Sequence, residues 1–96
     1  MLIRWSPEAA LDLESVVTYI SKDSDTTAYR VARDIYDRAA TLAAFPYLGR
    51  AGRIPGTREL PLTPLPFVIV YRVLERVNAV EIAAIIHGAQ QWPPLG

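Results

Sequence analysis

Three side chains in the second half of the chain could support chemistry on a phosphate group: Arg58, Arg72 and the single histidine, His87. Guanidinium groups bind phosphate through paired hydrogen bonds and stabilise charge that develops at a transferring phosphorus. An imidazole titrates near neutrality and can take or give a proton at working pH. RNA cleavage needs both: a base for the ribose 2′-hydroxyl and cations around the phosphate. The grouping therefore predicts an arginine-rich site, with Arg53 at its rim.

The same residues also have structural interpretations. His87 follows an apolar run and can simply end a strand and bond to a neighbour. Arg72 can pair on the surface with Glu81 or Glu59. Trp92 can cap the core or anchor a partner, and core capping is the interpretation that we favour.

The loop GRAGRIPG, residues 49–56, contains the glycines and arginines expected of a phosphate-binding loop. It lacks both the Gly-Lys-Ser/Thr ending and a following helix, so a P-loop is excluded. The loop is then either a flexible tether or an anion site.

The elements that must position these residues follow from a change of period along the chain. MLIRW predicts a first strand, and residues 7–22 and 27–44 predict two helices joined as an antiparallel hairpin. Beyond the proline and glycines of FPYLGRAGRIPG, the runs TRELPL, FVIVYRVL and AVEIAAIIH predict an antiparallel meander. The predicted fold is a single α+β domain over residues 1–96, ordered β-α-α-β-β-β, with the helical hairpin packed on a small twisted sheet.

Strict alternation along the strands predicts which side chains share a face. On the middle strand, Arg72 lies on the face that is opposite the apolar one. On the last strand, His87 is predicted to share a face with Glu81, Ala83 and Ile85. We therefore expect the helices to cover one face, and Arg72, His87 and Arg58 to line the other.

Composition excludes several classes of protein. Half of the 96 residues are hydrophobic, at 51%, which supports one folded core and argues against disorder. The absence of cysteine excludes disulfides and thiolate chemistry, and one histidine makes a zinc site improbable, so we expect no metal and no cofactor. Without a signal peptide or a long apolar run, we expect a soluble, cytoplasmic protein that makes no membrane contact.

Charge is balanced overall but unevenly distributed. Residues 1–49 carry five basic and seven acidic side chains, a balance of −2, and residues 50–96 carry five and three, a balance of +2. Any anion site should therefore lie in the second half. A general nucleic-acid binder would be more basic.

Four segments carry a resemblance over nearly the whole chain: SPEAALDLESVVTYI, FPYLGRAGRIPGTREL, PFVIVYRV and VEIAAIIHGAQQWP. Their order resembles that of the RelE/ParE superfamily of toxins from bacterial type II toxin–antitoxin systems. The resemblance implies two helices on an antiparallel sheet and a toxin that arrests growth. It also implies a cognate antitoxin that lays an extended or helical segment across the toxin, forming a hetero-oligomer.

The superfamily divides by target, because RelE-like members cut mRNA, usually in the ribosome, and ParE-like members poison DNA gyrase. Fold does not choose between them. Arg58 matches one basic position of the ribonucleases, but Val68 and Gln90 stand where others are expected. His87 matches a strand-end histidine that occurs in both branches.

Two hypotheses follow. In the first, which the grouping favours, the protein is an mRNA interferase: Arg58 and Arg72 hold the phosphate, His87 is the base or acid, and Arg53 steers the RNA. In the second, it is a non-enzymatic poison of DNA gyrase that binds through the hairpin and the C-terminal GAQQWPPLG. RNA or target contacts are predicted at Arg50, Arg53, Gln90 and Trp92, and the antitoxin is expected on the open sheet face or the hairpin.

Overall fold

The computed structural model describes residues 1–89 and 92–93. It contains β1 (Leu2–Trp5), α1 (Pro7–Ser21), α2 (Asp25–Thr41), β2 (Arg50–Ala51), β3 (Arg58–Pro61), β4 (Phe67–Leu74) and β5 (Ala79–His87), with a single 3-10 turn (Glu75–Val77) between β4 and β5. The predicted order of elements is confirmed. The difference is β2, a two-residue strand within the segment that the sequence suggested was only a loop.

Each helix starts at a serine that the sequence places before it. The Ser6 side-chain oxygen accepts a hydrogen bond from the Ala9 amide at 3.1 Å, and the Ser24 side-chain oxygen accepts one from Thr27 at 3.1 Å. Helix α2 ends at Thr41, three residues earlier than predicted, because residues 42–45 form tight turns ahead of a proline that cannot continue the helix. Neither α-helix in the described part of the chain is long and apolar enough to cross a membrane.

The five strands form one mixed sheet in the order β1-β5-β4-β3-β2. The predicted antiparallel meander is confirmed for β3, β4 and β5. Strand β1 joins the other side of β5 in parallel, with Trp5 opposite Ile82. A parallel neighbour requires a long crossover, and the helical hairpin supplies it.

The core lies between the hairpin and one face of the sheet. Helix α1 contributes Ala9, α2 contributes Ile35 and Ala39, and Leu42 follows directly after α2. These pack against buried side chains of the sheet and of the loop before β4: Leu62, Ile69, Tyr71, Val80, Ile82 and Ile85. The prediction that the helices cover the apolar face of β4 is confirmed.

A β-bulge in β5 changes which of its side chains share a face. Val70 lies opposite Ala84 and Tyr71 lies opposite Ile82, so Ala83 is an extra residue without a direct partner on β4. Ile85 therefore joins Ile82 in the core beneath the helices. The predicted grouping of Glu81, Ala83, Ile85 and His87 on one face is wrong, because alternation restarts at the bulge.

Helix α1 holds the bulged part of β5 through its side chains. The Ser6 hydroxyl donates to the Ala83 carbonyl at 3.1 Å, and the Asp12 carboxylate accepts from the Ile85 amide at 3.0 Å. Strand β1 has ended at Trp5, so it cannot satisfy these backbone groups. Polar side chains of α1 thus replace the missing strand partner along this edge of β5.

We expect Asp12→Ala to destabilise the fold by about 1–2 kcal/mol, because the partly buried Ile85 amide loses its charged acceptor. Glu14→Ala, an exposed position on the same helix, is the matched control and should change stability by about 0.5 kcal/mol or less. Urea denaturation followed by circular dichroism measures both variants. Equal stabilities for the two would show that Asp12 does not support the bulge.

Candidate functional site

Arg72 lies on the sheet face that the helices leave open, directly across from Glu81 on β5. Its Nη1 is 3.2 Å from the Glu81 carboxylate, and the two side chains are 42% and 37% exposed. An ion pair this exposed is worth about 1 kcal/mol or less. Of the two partners predicted for Arg72, Glu81 is confirmed and Glu59 is wrong.

His87 ends β5 on the other side of the sheet. Its ring meets Phe67 edge-on at 5.8 Å between centroids, and its Nδ1 accepts a hydrogen bond from the Ala89 amide at 3.1 Å. Phe67 packs against the core beneath the helices. Because His87 lies opposite Phe67, five residues from Arg72 on the regular strand β4, about 17 Å separates it from the Arg72 pair along the sheet. The predicted common face for His87 and Arg72 is therefore wrong.

Arg58 is used to hold the loop that follows α2. It lies opposite Tyr71, on the helix-covered face, and donates from Nε and Nη2 to the Gly49 carbonyl at 3.0 and 2.6 Å. Nη2 also donates to the Tyr47 carbonyl at 3.3 Å, and the guanidinium lies 5.3 Å from the centre of the Tyr47 ring. Arg58, Arg72 and His87 thus occupy three separate environments.

The glycine-rich loop is closed by a buried carboxylate, that of Glu59. Glu59 is 1% exposed and accepts hydrogen bonds from the Arg53 amide at 2.9 Å and from Arg53 Nη2 at 3.0 Å. The guanidinium of Arg50 is 3.6 Å away. The Arg53 hydrogen bond lowers the pKa of Glu59 despite burial, which acts the other way, and it raises the pKa of Arg53.

Close packing explains two of the three glycines of this loop, Gly49 and Gly52, whereas Gly56 has a positive φ of 82°. A Cβ at Gly52 would lie 2.2 Å from the Thr57 hydroxyl, and one at Gly49 would lie 2.8 Å from the Tyr71 hydroxyl. The Tyr71 hydroxyl accepts a hydrogen bond from the Gly49 amide at 2.8 Å, and the Gly52 amide donates one to the Thr57 carbonyl at 2.8 Å. The Gly49, Gly52 and Arg53 amides are therefore bonded within the protein and do not face an anion.

Trp92 packs on the open face of the sheet, against Val68, Val70, Ala84 and Ile86. Trp92 is half-buried and covers this smaller cluster, not the core beneath the helices, and its alternative role as an anchor for a partner stays a prediction. Its indole Nε1 is buried and has no hydrogen-bond partner among the described residues. Gln90, the other predicted contact in this segment, lies outside the described residues.

Two apolar grooves flank helix α1, and no pattern in the sequence indicated them. One, of about 470 Å³, lies between the hairpin and the ends of the central strands and includes Val16, Tyr19, Ile20, Phe67 and His87 in its lining. The other, of about 440 Å³, lies between the two helices and is closed by Trp5 and Tyr36, whose rings stack at 6.1 Å. The described residues contain no cluster of side chains able to hold a metal ion. Apolar grooves of this kind suit the side chains of another protein segment.

Comparison with known proteins places this geometry among bacterial toxins. Residues 3–92 match the family described as ParE toxin of type II toxin–antitoxin system, parDE. The protein Y4kP of Sinorhizobium fredii is 42% identical over 91 residues, covering 95% of this chain and 92% of that protein. Toxin RelE2 of Caulobacter vibrioides is 35% identical over 86 residues, covering 90% and 93%.

Solved structures show the same arrangement. A chain from the chromosomal ParDE toxin–antitoxin system of P. aeruginosa superposes with a TM-score of 0.79 at 28% identity, covering 91% of this chain and 95% of that one. The intact RelBE toxin–antitoxin complex of E. coli gives a TM-score of 0.69 at 12% identity, covering 94% and 98%. The second likeness shows the fold alone.

We expect Glu59→Gln to lower the melting temperature at neutral pH by several degrees, because two arginines lose a buried counter-charge. In the wild type the pKa of Glu59 lies below its unfolded value of about 4.3. The stabilisation is therefore complete above that pH and is lost as the pH falls through the folded-state value.

Thermal melts between about pH 7 and pH 3 measure this effect, and Glu59→Gln should flatten the acid limb of the profile. Glu81→Gln is the matched control, since it removes a half-exposed ion pair and should leave the profile nearly unchanged. An unaltered acid limb in Glu59→Gln would show that another carboxylate dominates.

Proposed function

The chain belongs to the ParE toxin family of type II toxin–antitoxin systems, within the RelE/ParE superfamily, and on that premise we propose that it arrests growth without catalysis, by binding DNA gyrase. One observation carries the choice of mechanism: the three residues that cleavage would need lie apart. Arg72 faces the open side of the sheet, His87 faces the hairpin side, and Arg58 is bonded to loop carbonyls.

General acid–base catalysis requires a base within about 3 Å of the proton that it moves, and a cation at the same phosphate. The separation of His87 from Arg72 does not meet that requirement. Arg53, predicted to steer RNA, is bound to Glu59. The zero net charge also supports protein binding, since phosphate contacts supply much of the affinity for RNA.

Cleavage of mRNA, which the sequence favoured, is the second candidate. Its support is the 35% identity to a protein named toxin RelE2, together with Arg58 at a position where RelE-like ribonucleases carry a basic residue. It would require the ribosome to supply the cations and the base that this chain does not bring together. Because cleavage would depend on the ribosome, an assay with ribosomes tests that candidate, and a supercoiling assay with gyrase tests the other.

We further propose that a cognate antitoxin covers the apolar grooves beside α1 and forms a hetero-oligomer with this chain. The grooves total about 900 Å³ and are lined mainly by aliphatic and aromatic side chains. The solved relatives are described as a ParDE system and a RelBE toxin–antitoxin complex. A helix or an extended segment with apolar side chains would fill such grooves.

The contacts with the target are proposed among the predicted binding residues that remain accessible. Arg50 keeps 64% of its side chain exposed, although its guanidinium lies near Glu59. Arg53 is held by Glu59, and Trp92 is packed on the sheet. Arg50 is therefore the strongest of the predicted contacts.

We expect the purified protein to inhibit gyrase supercoiling and not to cut mRNA on ribosomes. His87→Ala and Arg72→Gln should inhibit supercoiling within about twofold of the wild type, because surface substitutions away from contacts change free energies by about 0.5 kcal/mol or less. Supercoiling and ribosome-dependent cleavage are assayed in parallel. Message cleavage by the wild type that His87→Ala abolishes would instead establish an mRNA interferase.

A further inference from the structure

Three segments of the chain meet at the end of the molecule where β4 ends and β5 begins. The Met1 amino group donates to the Ala43 carbonyl at 3.0 Å, and the Leu2 amide donates to the Asn78 carbonyl at 3.0 Å. The Tyr47 hydroxyl donates to the Glu75 carboxylate. These bonds join the N-terminus, the loop after α2 and the β4–β5 turn into one surface, which we call the loop end.

The loop end concentrates exposed apolar side chains. Nine large hydrophobic residues are exposed among the described residues, and five of them lie here, each with more than half of its surface accessible: Leu2, Phe45, Tyr47, Leu48 and Val77. Clustered exposure of this kind marks an interaction surface, whereas single exposed apolar residues are ordinary.

The exposed side chains stand on a loop that is held in one shape. Phe45 and Leu48 flank a turn closed by the Leu48 amide, which donates to the Phe45 carbonyl at 3.1 Å. Arg58 supports Tyr47 from its ring face and bonds to its carbonyl, and the buried Tyr71 hydroxyl holds the Gly49 amide. Binding through such a surface orders few side chains, which reduces the entropic cost of association.

Charge at the loop end is positive. Arg76 is exposed there, Arg58 is half-buried beneath Tyr47, and the Met1 amino group adds a third cation. Glu75, which accepts a hydrogen bond from Tyr47, is the one carboxylate of the turn and offsets one of these cations. The first half of the chain carries the opposite balance, at −2. A partner matched to the loop end must therefore be acidic and must also offer apolar contacts.

We propose that the loop end is the surface through which this toxin contacts its target, and that it docks on an acidic, partly apolar face of that protein. Aromatic residues and arginines at the centre of a preorganised patch are typical of the side chains that dominate binding energy. Strand β4 begins at the larger groove and ends at this surface, so the target contact lies about 25 Å from that groove. The smaller groove is nearer, because Trp5 in its lining is three residues, about 10 Å, along β1 from Leu2. The inference rests on the proposed function and names the face that performs it.

The test compares two double variants of exposed residues in the complete chain. Phe45→Ser with Leu48→Ser removes two apolar side chains of the loop end, and Leu11→Ser with Tyr29→Ser removes two of similar exposure on the hairpin, outside both grooves. Gyrase supercoiling, growth arrest on induction and co-purification with the antitoxin are measured for each. The loop-end variant should lose inhibition and growth arrest by about tenfold or more while binding antitoxin as before, and the hairpin variant should match the wild type.

Charge is tested separately with Arg76→Glu, against Arg30→Glu on α2 as the control. Only Arg76→Glu should weaken target inhibition, and the deficit should shrink at high salt, because salt screens exposed charges.

Full growth arrest by the loop-end variant would overturn the inference, as would a parallel loss of antitoxin binding, which would make the loop end the antitoxin's surface. If the wild type does not inhibit gyrase, the proposed function fails on its own. Growth arrest that depends on Phe45 and Leu48 would then still support the loop end as the contact with a different target.

Discussion

The extra residue at Ala83 sets the arrangement of everything at the carboxyl end of β5. A strand presents alternate side chains to opposite faces, so inserting one unpaired residue exchanges the faces of all that follow. Ile85 is thereby buried under the helices, and His87 is turned toward the apolar groove beside α1. Glu81, which precedes the bulge, stays on the open face with Arg72. Ser6 and Asp12 stabilise this geometry, because they bond to the Ala83 carbonyl and the Ile85 amide on the side of β5 where β1 has ended.

A second constraint, the buried carboxylate of Glu59, determines where the arginines go. Buried carboxylates are rare unless they are paired, and Glu59 forms ion pairs with Arg53 and Arg50. Arg58, on the neighbouring position of β3, is drawn the other way by the Gly49 and Tyr47 carbonyls. The arginine content of residues 50–58 therefore serves mainly to hold two loops in place. The number of arginines in the sequence suggests a phosphate site, but Arg53 and Arg58 already bond to groups of the protein.

The structural features that could be predicted from the sequence are those that depend on local periodicity and on short-range signals. Ser6 and Pro7 locate the start of α1, the turn residues around the meander locate β3, β4 and β5, and the face of β4 follows from its alternation. The Arg72–Glu81 pair could also be predicted, because a tight hairpin between β4 and β5 places these residues opposite each other. The bulge was not, since nothing in AVEIAAIIH marks Ala83 over its neighbours. The partners of Glu59 were not predictable for a related reason: Arg50 lies in a two-residue strand without a sequence signal, and Arg53 lies in the irregular loop that follows it.

The bulge also bears on the choice between catalysis and binding, because it leaves His87 and Arg72 on opposite faces of the sheet. Removing the bulge would return His87 to the face of Arg72, but it would also turn Ile85 out of the core and exchange the environments of Ala84 and Ile86. Exposing a buried isoleucine costs about 1.5–3 kcal/mol, before the loss of the Asp12 bond to the Ile85 amide is considered. Even then, about 17 Å of strand would separate the imidazole from the guanidinium, several times the reach of one phosphate group. No rotamer change closes that distance, whereas the preorganised apolar residues and the exposed Arg76 lie together at the other end of β5, where the target contact is proposed.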